Sequence, residues 1–150
     1  MAKQGKYTYN WPRPMVTVDA AVFNIDSNPP QLLLIRRGNE PFKGQWAFPG
    51  GFVEMDEHLE TAVARELAEE TSLTNIKLTQ LHTFGNPRRD PRGRNITIVF
   101  IGTTTTANSK ITPGDDAAEA AWFPIDELPE MSFDHDKVAT VAIERLKQIS

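Results

Sequence analysis

Five charged side chains between residues 51 and 73 have types and spacings that could hold a metal ion on a helix. They are Glu57, Arg65, Glu66, Glu69 and Glu70. At about 100° per residue, Glu66 and Glu70 project into the same arc as three apolar residues, Leu59, Val63 and Leu67. Two carboxylates four residues apart repel each other, so a cation is expected between them. A hard divalent ion is the natural partner, because magnesium usually takes one or two carboxylates together with substrate phosphates.

The composition indicates a small enzyme or binding domain. A chain of 150 residues is typical of one domain with its own core. The net charge of -4 argues against a protein that binds nucleic acid through bulk electrostatics, so no nucleic-acid partner is expected. With no cysteine in the sequence, disulfides and thiolate chemistry are excluded, which fits a reducing, cytoplasmic location. No stretch approaches the roughly 18 apolar residues that could span a bilayer, and no membrane partner is expected.

The elements that must position the acidic helix are strands on either side of it in the sequence. Apolar and β-branched runs predict strands over residues 15–23, 32–35, 76–84, 96–101 and 118–125. Apolar residues at helical spacing predict helices over about residues 58–71 and 134–149. Turn-forming residues predict that the first two strands form a hairpin, that residues 85–95 form the tip of another, and that residues 38–51 are loop. This order predicts an α/β fold with a mixed sheet covered by helices.

The segment over residues 51–73, GFVEMDEHLETAVARELAEETSL, resembles the signature of the Nudix hydrolases. That signature is a glycine, five residues, Glu, seven residues, Arg-Glu, an aliphatic residue, any residue, Glu-Glu, any residue, Gly and an aliphatic residue. The matching positions are Gly51, Glu57, Arg65, Glu66, Leu67, Glu69, Glu70 and Leu73. The resemblance implies one Nudix domain over residues 1–150, built as an α/β/α sandwich with a central mixed sheet.

Ser72 departs from the signature, which has glycine at this position. Glycine is favoured just past a helix because it accepts a left-handed backbone, whereas a residue with a Cβ loses roughly 1 to 2 kcal/mol there. Either Ser72 adopts that conformation at a cost, or the helix ends differently. The change is expected to affect stability rather than metal binding.

The resemblance implies hydrolysis of a nucleoside diphosphate derivative with divalent ions, Mg²⁺ first and Mn²⁺ as the alternative. It assigns Glu66 and Glu70 as direct metal ligands and the Gly50 carbonyl as a backbone ligand. Glu69 is a further ligand or the group that handles water. The competing interpretation is an ordinary helix with exposed acids.

Arg65 and Glu57 are expected to support the metal ligands. Arg65 could hold Glu57 and Glu69 in place through charge-assisted hydrogen bonds. Relatives differ in where the catalytic base resides, and the acids in PGDDAAEAAWF are the candidates here, with Glu119 favoured over Asp116 and Asp115. The alternative is that this segment is only a turn.

Four arginines crowd the predicted hairpin tip, in the sequence RRDPRGR. This tip, together with RPMVTVDAAVF and SFDHDKVATVAIERL, resembles the ADP-ribose pyrophosphatase branch of the family. Guanidinium groups can bind phosphates in a fork geometry and stack on adenine, so Arg89 and Arg92 are predicted to bind substrate. A solvated turn is the competing interpretation. The expected reaction converts ADP-ribose to AMP and ribose 5-phosphate.

Two alternatives remain open on this resemblance. One is a Nudix pyrophosphatase that acts on nucleoside triphosphates or dinucleotides. The other is an ADP-ribose-sensing regulatory domain, which in related proteins precedes a DNA-binding helix module. No such module follows the terminal helix in this sequence, and the intact acidic set favours catalysis. Relatives of this branch are commonly dimers, so a homodimer is also expected.

Two other groups of residues receive structural interpretations. Asp134 is predicted to cap the terminal helix, which makes His135 a helix-start residue rather than a catalytic one. Tyr7, Tyr9 and Trp11, in the N-terminal arm, could stack on a base or pack on a neighbouring subunit.

Overall fold

A computed structural model of the protein describes residues 5–114 and 116–149. The strands are β1 (Met15–Asn24), β2 (Gln31–Arg37), β3 (Trp46–Ala47), β4 (Gly50–Phe52), β5 (Thr79–Phe84), β6 (Asn95–Thr104) and β7 (Ala117–Pro124). The helices are α1 (Leu59–Thr71) and α2 (His135–Ile149), and a single 3-10 turn spans Thr106–Asn108. Within residues 5–114 and 116–149 there is no helix long and apolar enough to cross a bilayer.

The described strands form one mixed sheet. Its main path runs β3-β2-β1-β6-β5, while β4 pairs with β1 and β7 pairs with β2. Strand β1 lies parallel to β6 over its whole length and antiparallel to β2 and β4. The antiparallel pairs β1–β2 and β5–β6 are the two predicted hairpins. The mixed sheet predicted from the order of the elements is therefore confirmed.

The core lies on both faces of this sheet because alternate residues of β1 point in opposite directions. On one face, β1 and α1 share a buried cluster that includes Val18, Ala20, Val22, Val63 and Leu67. On the other face, β1 and α2 share a second cluster that includes Ala21, Phe23, Val138, Ala142 and Leu146. One helix on each side of the sheet gives the predicted α/β/α sandwich.

Helix α1 buries acids together with its apolar stripe. Ala62, Val63 and Leu67 pack on the sheet, as the helical spacing predicts. Glu66 and Glu70 lie on the same side, with only 5% and 7% of their surfaces exposed. The interpretation of α1 as an ordinary helix with solvated acids is therefore wrong for these two residues.

The carboxyl end of α1 is held by two features. Ser72 adopts the left-handed conformation, with φ of 65°, and its N–H donates to the carbonyl of Ala68 at 2.9 Å. The loop before β7 then docks on the last turn, because the N–H of Thr112 donates to the Thr71 carbonyl and that of Gly114 to the Glu70 carbonyl. A Cβ on Gly114 would overlap the Glu69 carbonyl oxygen, so glycine is required for this approach.

The largest difference from the predicted elements lies in residues 38–51, which contain two short strands rather than only loop. Strand β3 pairs with β2, and β4 pairs with β1. Strands of two and three residues are too short to produce a periodic pattern, so only long-range pairing defines them. Strand β2 also extends two residues beyond its predicted end at Ile35, to Arg37, where it meets the cavity described below.

Replacing Ser72 with glycine tests the cost of the serine at this helix end. We expect Ser72→Gly to raise the free energy of unfolding by about 0.5 to 1 kcal/mol, because relief of the left-handed strain exceeds the entropy that glycine adds to the unfolded chain. Urea denaturation of the two proteins measures the difference. A Ser72→Ala variant, which keeps the Cβ, serves as control and should show no gain in stability.

Candidate active site

A cavity lies where β1, β2, β4, α1 and the tip between β5 and β6 come together. Glu66 and Glu70 face it from α1, and Asp19 faces it from β1. Gly50 and Gly51 form its wall on β4. These and other segments that are distant in sequence therefore contribute to one site, and the acids of α1 lie on its floor rather than in solvent.

Glycine is needed at both positions of this wall. A Cβ on Gly51 would lie 2.6 Å from the Glu66 carboxylate, closer than side chains pack. A Cβ on Gly50 would overlap the Val18 carbonyl oxygen and the Asp19 carboxylate. The two glycines thus allow β4 to pair with β1 while it also lies directly against the Glu66 carboxylate.

Arg65 holds the acidic residues together. Its guanidinium donates to Glu57 at 2.6 and 2.9 Å, to Glu66 at 2.8 Å and to Glu69 at 3.3 Å. It also donates to the carbonyl of Phe52 at 3.2 Å, which ties α1 to the end of β4. The predicted contacts of Arg65 with Glu57 and Glu69 are present, and the contact with Glu66 was not predicted. One cation therefore orients three carboxylates.

Glu70 has less compensation for its charge. The N–H of Gly50 donates to its carboxylate at 3.0 Å. Burial raises the pKa of Glu70 well above its usual range, and the neighbouring charge of Glu66 raises it further. This carboxyl group is therefore poised to accept a cation, which would remove both penalties.

The donor chemistry of this floor fits a hard divalent ion. Two buried carboxylates are the ligands that magnesium accepts from protein. In the part of the chain that the structure describes, no three Asp, Glu or His side chains are gathered as closely as a complete metal site requires. A bound ion would take the carboxylates of Glu66 and Glu70 with the Gly50 carbonyl, and would fill its remaining positions with water and substrate oxygens.

Glu69 lies beside this floor rather than on it. Its side chain is 48% exposed and hydrogen bonds to Arg65. It is not among the residues that line the cavity, whereas Gly50, the predicted backbone ligand, is. Of the four predicted metal ligands, the structure brings Gly50, Glu66 and Glu70 together and leaves Glu69 at the edge.

The two arginines predicted to bind substrate differ in their surroundings. Arg89 has only 3% of its side chain exposed and donates to both carboxylate oxygens of Asp134, at 3.1 and 2.7 Å. Arg92 is 35% exposed, pairs with Asp90 at 2.8 Å and lies 5.2 Å from the centre of the Phe52 ring. Both arginines line the cavity. Arg89 already forms a buried ion pair with Asp134, which is not expected of an arginine in a solvated turn.

Several residues at the cavity were not predicted as site residues, among them Asp19, Arg37 and Phe133. Asp19 is a lone acid in the mostly apolar strand β1. Because a lone acid is rarely buried, this sequence pattern could have identified Asp19 as a site residue. Arg37 and Phe133 also line the cavity, and the Arg37 guanidinium lies 5.0 Å from the Phe133 ring centre. No local sequence pattern identifies Arg37 or Phe133 as a site residue, because the two meet only when β2 and the start of α2 come together in the fold.

The start of α2 contributes a buried histidine to the same cavity. His135 accepts a hydrogen bond at Nδ1 from the N–H of Phe48, and its Nε2 lies 4.0 Å from the Asp19 carboxylate. Burial lowers the pKa of His135, so the neutral ring with its proton on Nε2 is favoured. Asp134 immediately precedes the helix, as the capping prediction requires, but its carboxylate is used by Arg89.

The predicted catalytic base, Glu119, lies away from the cavity. Its exposed carboxylate pairs with Arg36 at 3.2 Å, on the far side of the β2–β7 pair from the acidic floor. Asp116, ranked below it by sequence, lines the cavity instead. Asp115, the third candidate, lies outside the described residues. Glu119 lies opposite Arg36 in the pairing of β2 with β7, whereas Asp116 precedes β7.

Glu57 should give the acid stability of the protein a distinct component. Hydrogen bonds from Arg65 lower the pKa of Glu57 from 4.5 to about 2. The folded state therefore prefers the carboxylate, and this stabilisation is complete above pH 4.5 and is lost as the pH falls toward 2. We expect Glu57→Gln to lower stability at neutral pH and to flatten the dependence of the unfolding free energy on pH below about 4.5. Urea denaturation over that range measures it, and the exposed Glu60→Gln variant should keep the wild-type slope.

Comparison with known proteins places this arrangement in a family. The NUDIX domain model matches residues 13–142. An ADP-ribose pyrophosphatase of Methanocaldococcus jannaschii is 44% identical over 125 residues, which cover 83% of this chain and 70% of that protein. The NUDIX domain of Shewanella oneidensis NrtR, solved in complex with ADP ribose, superposes with a TM-score of 0.84 at 33% identity and covers 91% of this chain and 90% of that one.

A regulatory protein is also similar. The ADPR responsive transcriptional repressor NtrR of Acinetobacter baylyi is 43% identical over 94 residues, 61% of this chain but only 38% of the repressor. The matched model covers most of the chain, and it includes the cavity floor with Arg65, Glu66 and Glu70. The chain therefore belongs to the Nudix family, as a pyrophosphohydrolase of the branch that resembles ADP-ribose pyrophosphatases.

Proposed function

We propose that this protein hydrolyses ADP-ribose to AMP and ribose 5-phosphate with a divalent metal ion. The observation that carries the proposal is one cavity lined both by a buried carboxylate pair, Glu66 and Glu70, and by arginines. Carboxylates can hold cations that neutralise a diphosphate, and guanidinium groups can bind its remaining oxygens. The 44% identity to an ADP-ribose pyrophosphatase supports this choice among diphosphates.

The metal would be held by Glu66, Glu70 and the Gly50 carbonyl, with Mg²⁺ as the expected ion and Mn²⁺ as the alternative. When bound, it would neutralise phosphate oxygens and make a coordinated water more acidic. Arg65 fixes the rotamer of Glu66 through a 2.8 Å hydrogen bond. The N–H of Gly50 holds one oxygen of Glu70, which leaves the other oxygen for the ion.

Arg65 and Glu57 act in this proposal by orienting the metal-binding acids. The pair is joined by two hydrogen bonds of 2.6 and 2.9 Å, a geometry that restrains the guanidinium in a plane. Glu69 shares the same guanidinium at 3.3 Å. Because its carboxylate is half exposed at the edge of the floor, Glu69 could take a further ligand position or bind water once an ion is present.

The positions of the two acids favour Asp116 over Glu119 as the general base. A base must reach the attacking water, directly or through one other water molecule. Asp116 lines the cavity, whereas Glu119 is bound to Arg36 on an exposed surface. The water would lose its proton to this base as its oxygen attacks phosphorus and the bridging P–O bond breaks.

A sensing role is the second candidate function. It is favoured by the 43% identity to a repressor described as ADPR responsive. A sensor would bind ADP-ribose in the same cavity without turning it over. We place both candidates in the cytoplasm and expect a homodimer, on the grounds given by the sequence and by the family branch.

A substrate panel decides between hydrolysis and sensing. Purified protein is incubated with ADP-ribose, other nucleoside diphosphate derivatives, nucleoside triphosphates and dinucleotides, each with Mg²⁺ or Mn²⁺, and products are separated by chromatography. We expect AMP from ADP-ribose as the fastest reaction. Thermal stabilisation by ADP-ribose without release of AMP would instead establish the sensing role, and faster turnover of triphosphates would reassign the substrate.

Glu70→Gln is the matched variant for this panel. We expect it to lower kcat/KM by at least about 100-fold, because an uncharged amide is a poor ligand for a hard cation. The same variant should melt at a higher temperature than the wild type without metal, since it removes a buried like charge yet can still accept the Gly50 N–H. Glu60→Gln is the control for charge alone. Full activity in Glu70→Gln would refute the metal assignment.

The choice of base is tested by a second pair of variants. We expect Asp116→Asn to lower kcat by roughly 100-fold or more at saturating metal, as the loss of a general base does. Glu119→Gln should stay within about twofold of wild type, since the exposed pair with Arg36 contributes little. The reverse ranking in steady-state kinetics would restore Glu119 as the base.

A further inference from the structure

Side chains of both charges line the cavity, and the acids Asp19, Glu66 and Glu70 are already described above. Two of the cavity's arginines, Arg37 and Arg92, approach the same aromatic ring, that of Phe133, at 5.0 and 5.5 Å from its centre. A guanidinium within about 6 Å of a ring centre is attracted to it, so one ring here holds two cations.

Phe133 is itself held in a strained conformation. Its φ of 53° is in the left-handed region, which a residue with a large side chain rarely adopts. The ring packs edge-on against Phe42 at 4.8 Å and tilts against His135 at 5.4 Å. The next residue, Asp134, is fixed by two hydrogen bonds from the buried Arg89. The position of the ring is thus determined from both sides.

The two guanidinium groups differ in how far their charges are compensated. Arg92 forms an ion pair with Asp90 at 2.8 Å. Arg37 donates from Nε to the carbonyl of Pro41 at 2.7 Å and, among the described residues, forms no ion pair with a carboxylate. Burial lowers the pKa of Arg37, and the charge of Arg92 lowers it further. The charges of Glu70, Asp90 and Asp19 act on the pKa of Arg37 in the opposite direction. None of these carboxylates forms an ion pair with Arg37 among the described residues, so its guanidinium can still contact an anion that enters the cavity.

We propose that Phe133 is a positioning residue that holds Arg37 and Arg92 to bind a phosphate group of the substrate. Arg89 serves the same subsite indirectly, because it fixes Asp134 and thereby the ring, and it does not touch the substrate. The assignment rests on the proposed function for the identity of the substrate. The anion subsite itself, formed by Arg37 and Arg92 and positioned by Phe133, does not depend on that identity.

The direct test measures binding of inorganic pyrophosphate to metal-free protein by titration calorimetry. We expect Arg37→Gln to weaken binding by about tenfold or more, from the loss of a charge-assisted contact. Phe133→Leu, which leaves both arginines, should weaken it by about fivefold, from the loss of the cation–π contacts. Phe133→Tyr keeps the ring and should bind as the wild type does. Arg88→Gln removes an exposed charge from the same hairpin tip and serves as the control.

Kinetics with the best substrate of the panel separate positioning from a general loss of structure. Phe133→Leu and Asp134→Asn should raise KM by about fivefold while kcat stays within about twofold, and Phe133→Tyr should restore KM. Melting temperatures of all variants are recorded, because a purely structural role would lower them without moving KM against kcat. If Phe133→Leu does not fold, Asp134→Asn and Phe133→Tyr decide the matter.

Three results would overturn the inference: wild-type protein that does not bind pyrophosphate, Phe133→Leu that binds it unchanged, or Arg88→Gln that weakens it as much as Arg37→Gln. These outcomes are independent of the substrate panel. If ADP-ribose is not hydrolysed but pyrophosphate binding follows the expected order, only the proposed function fails. If ADP-ribose is hydrolysed and the order is absent, only this inference fails.

Discussion

The rest of the structure depends on two carboxylates of like charge, Glu66 and Glu70, that are buried one helical turn apart. Glu66 and Glu70 are almost inaccessible to water, yet they lie beside the apolar seam of α1. Taking carboxylates out of water is costly unless they are paired or hydrogen bonded. Arg65 compensates Glu66, while Glu70 accepts a backbone N–H from Gly50 and, among the described residues, forms no ion pair with a cation. The imbalance leaves a site whose stability improves when a cation enters.

The local sequence around the two acids follows from this constraint. Gly51 makes room for the Glu66 carboxylate, and Gly50 lets β4 approach β1 closely enough for its N–H to reach Glu70. Arg65 is in turn restrained by Glu57 and by the Phe52 carbonyl. Each of these residues serves the placement of an acid, so the signature is a set of requirements for holding negative charge inside a fold.

The sequence predicted the parts of the site that depend on local geometry. Helical phase alone placed Glu66 and Glu70 on the buried side of α1, because a helix fixes the directions of residues i and i+4. Arg65 and Glu57 followed from the family signature. The elements themselves were largely predicted, with the mixed sheet and a helix on each face, because strands of six to ten residues and long helices have a clear periodicity.

The parts that could not be predicted depend on contacts between distant segments. Arg37 and Phe133 are 96 residues apart in the sequence, and only the order of the strands in the sheet brings them together. Arg89 was predicted as a site residue, but its buried ion pair with Asp134 was not predicted. The sequence ranked Glu119 above Asp116, whereas only Asp116 lines the cavity, because Glu119 lies opposite Arg36 on a neighbouring strand and pairs with it at the surface.

The docking of the loop before β7 on α1 has a consequence for motion within the site. Two backbone hydrogen bonds, from Thr112 and Gly114, fasten this loop to Thr71 and Glu70. Glu70 therefore anchors with its carbonyl the loop that leads to Asp116, and it faces the cavity with its side chain. The end of α1 and the loop are therefore fastened to each other through the backbone of a residue whose side chain faces the cavity, so a displacement of the loop is transmitted to the helix end that carries Glu70.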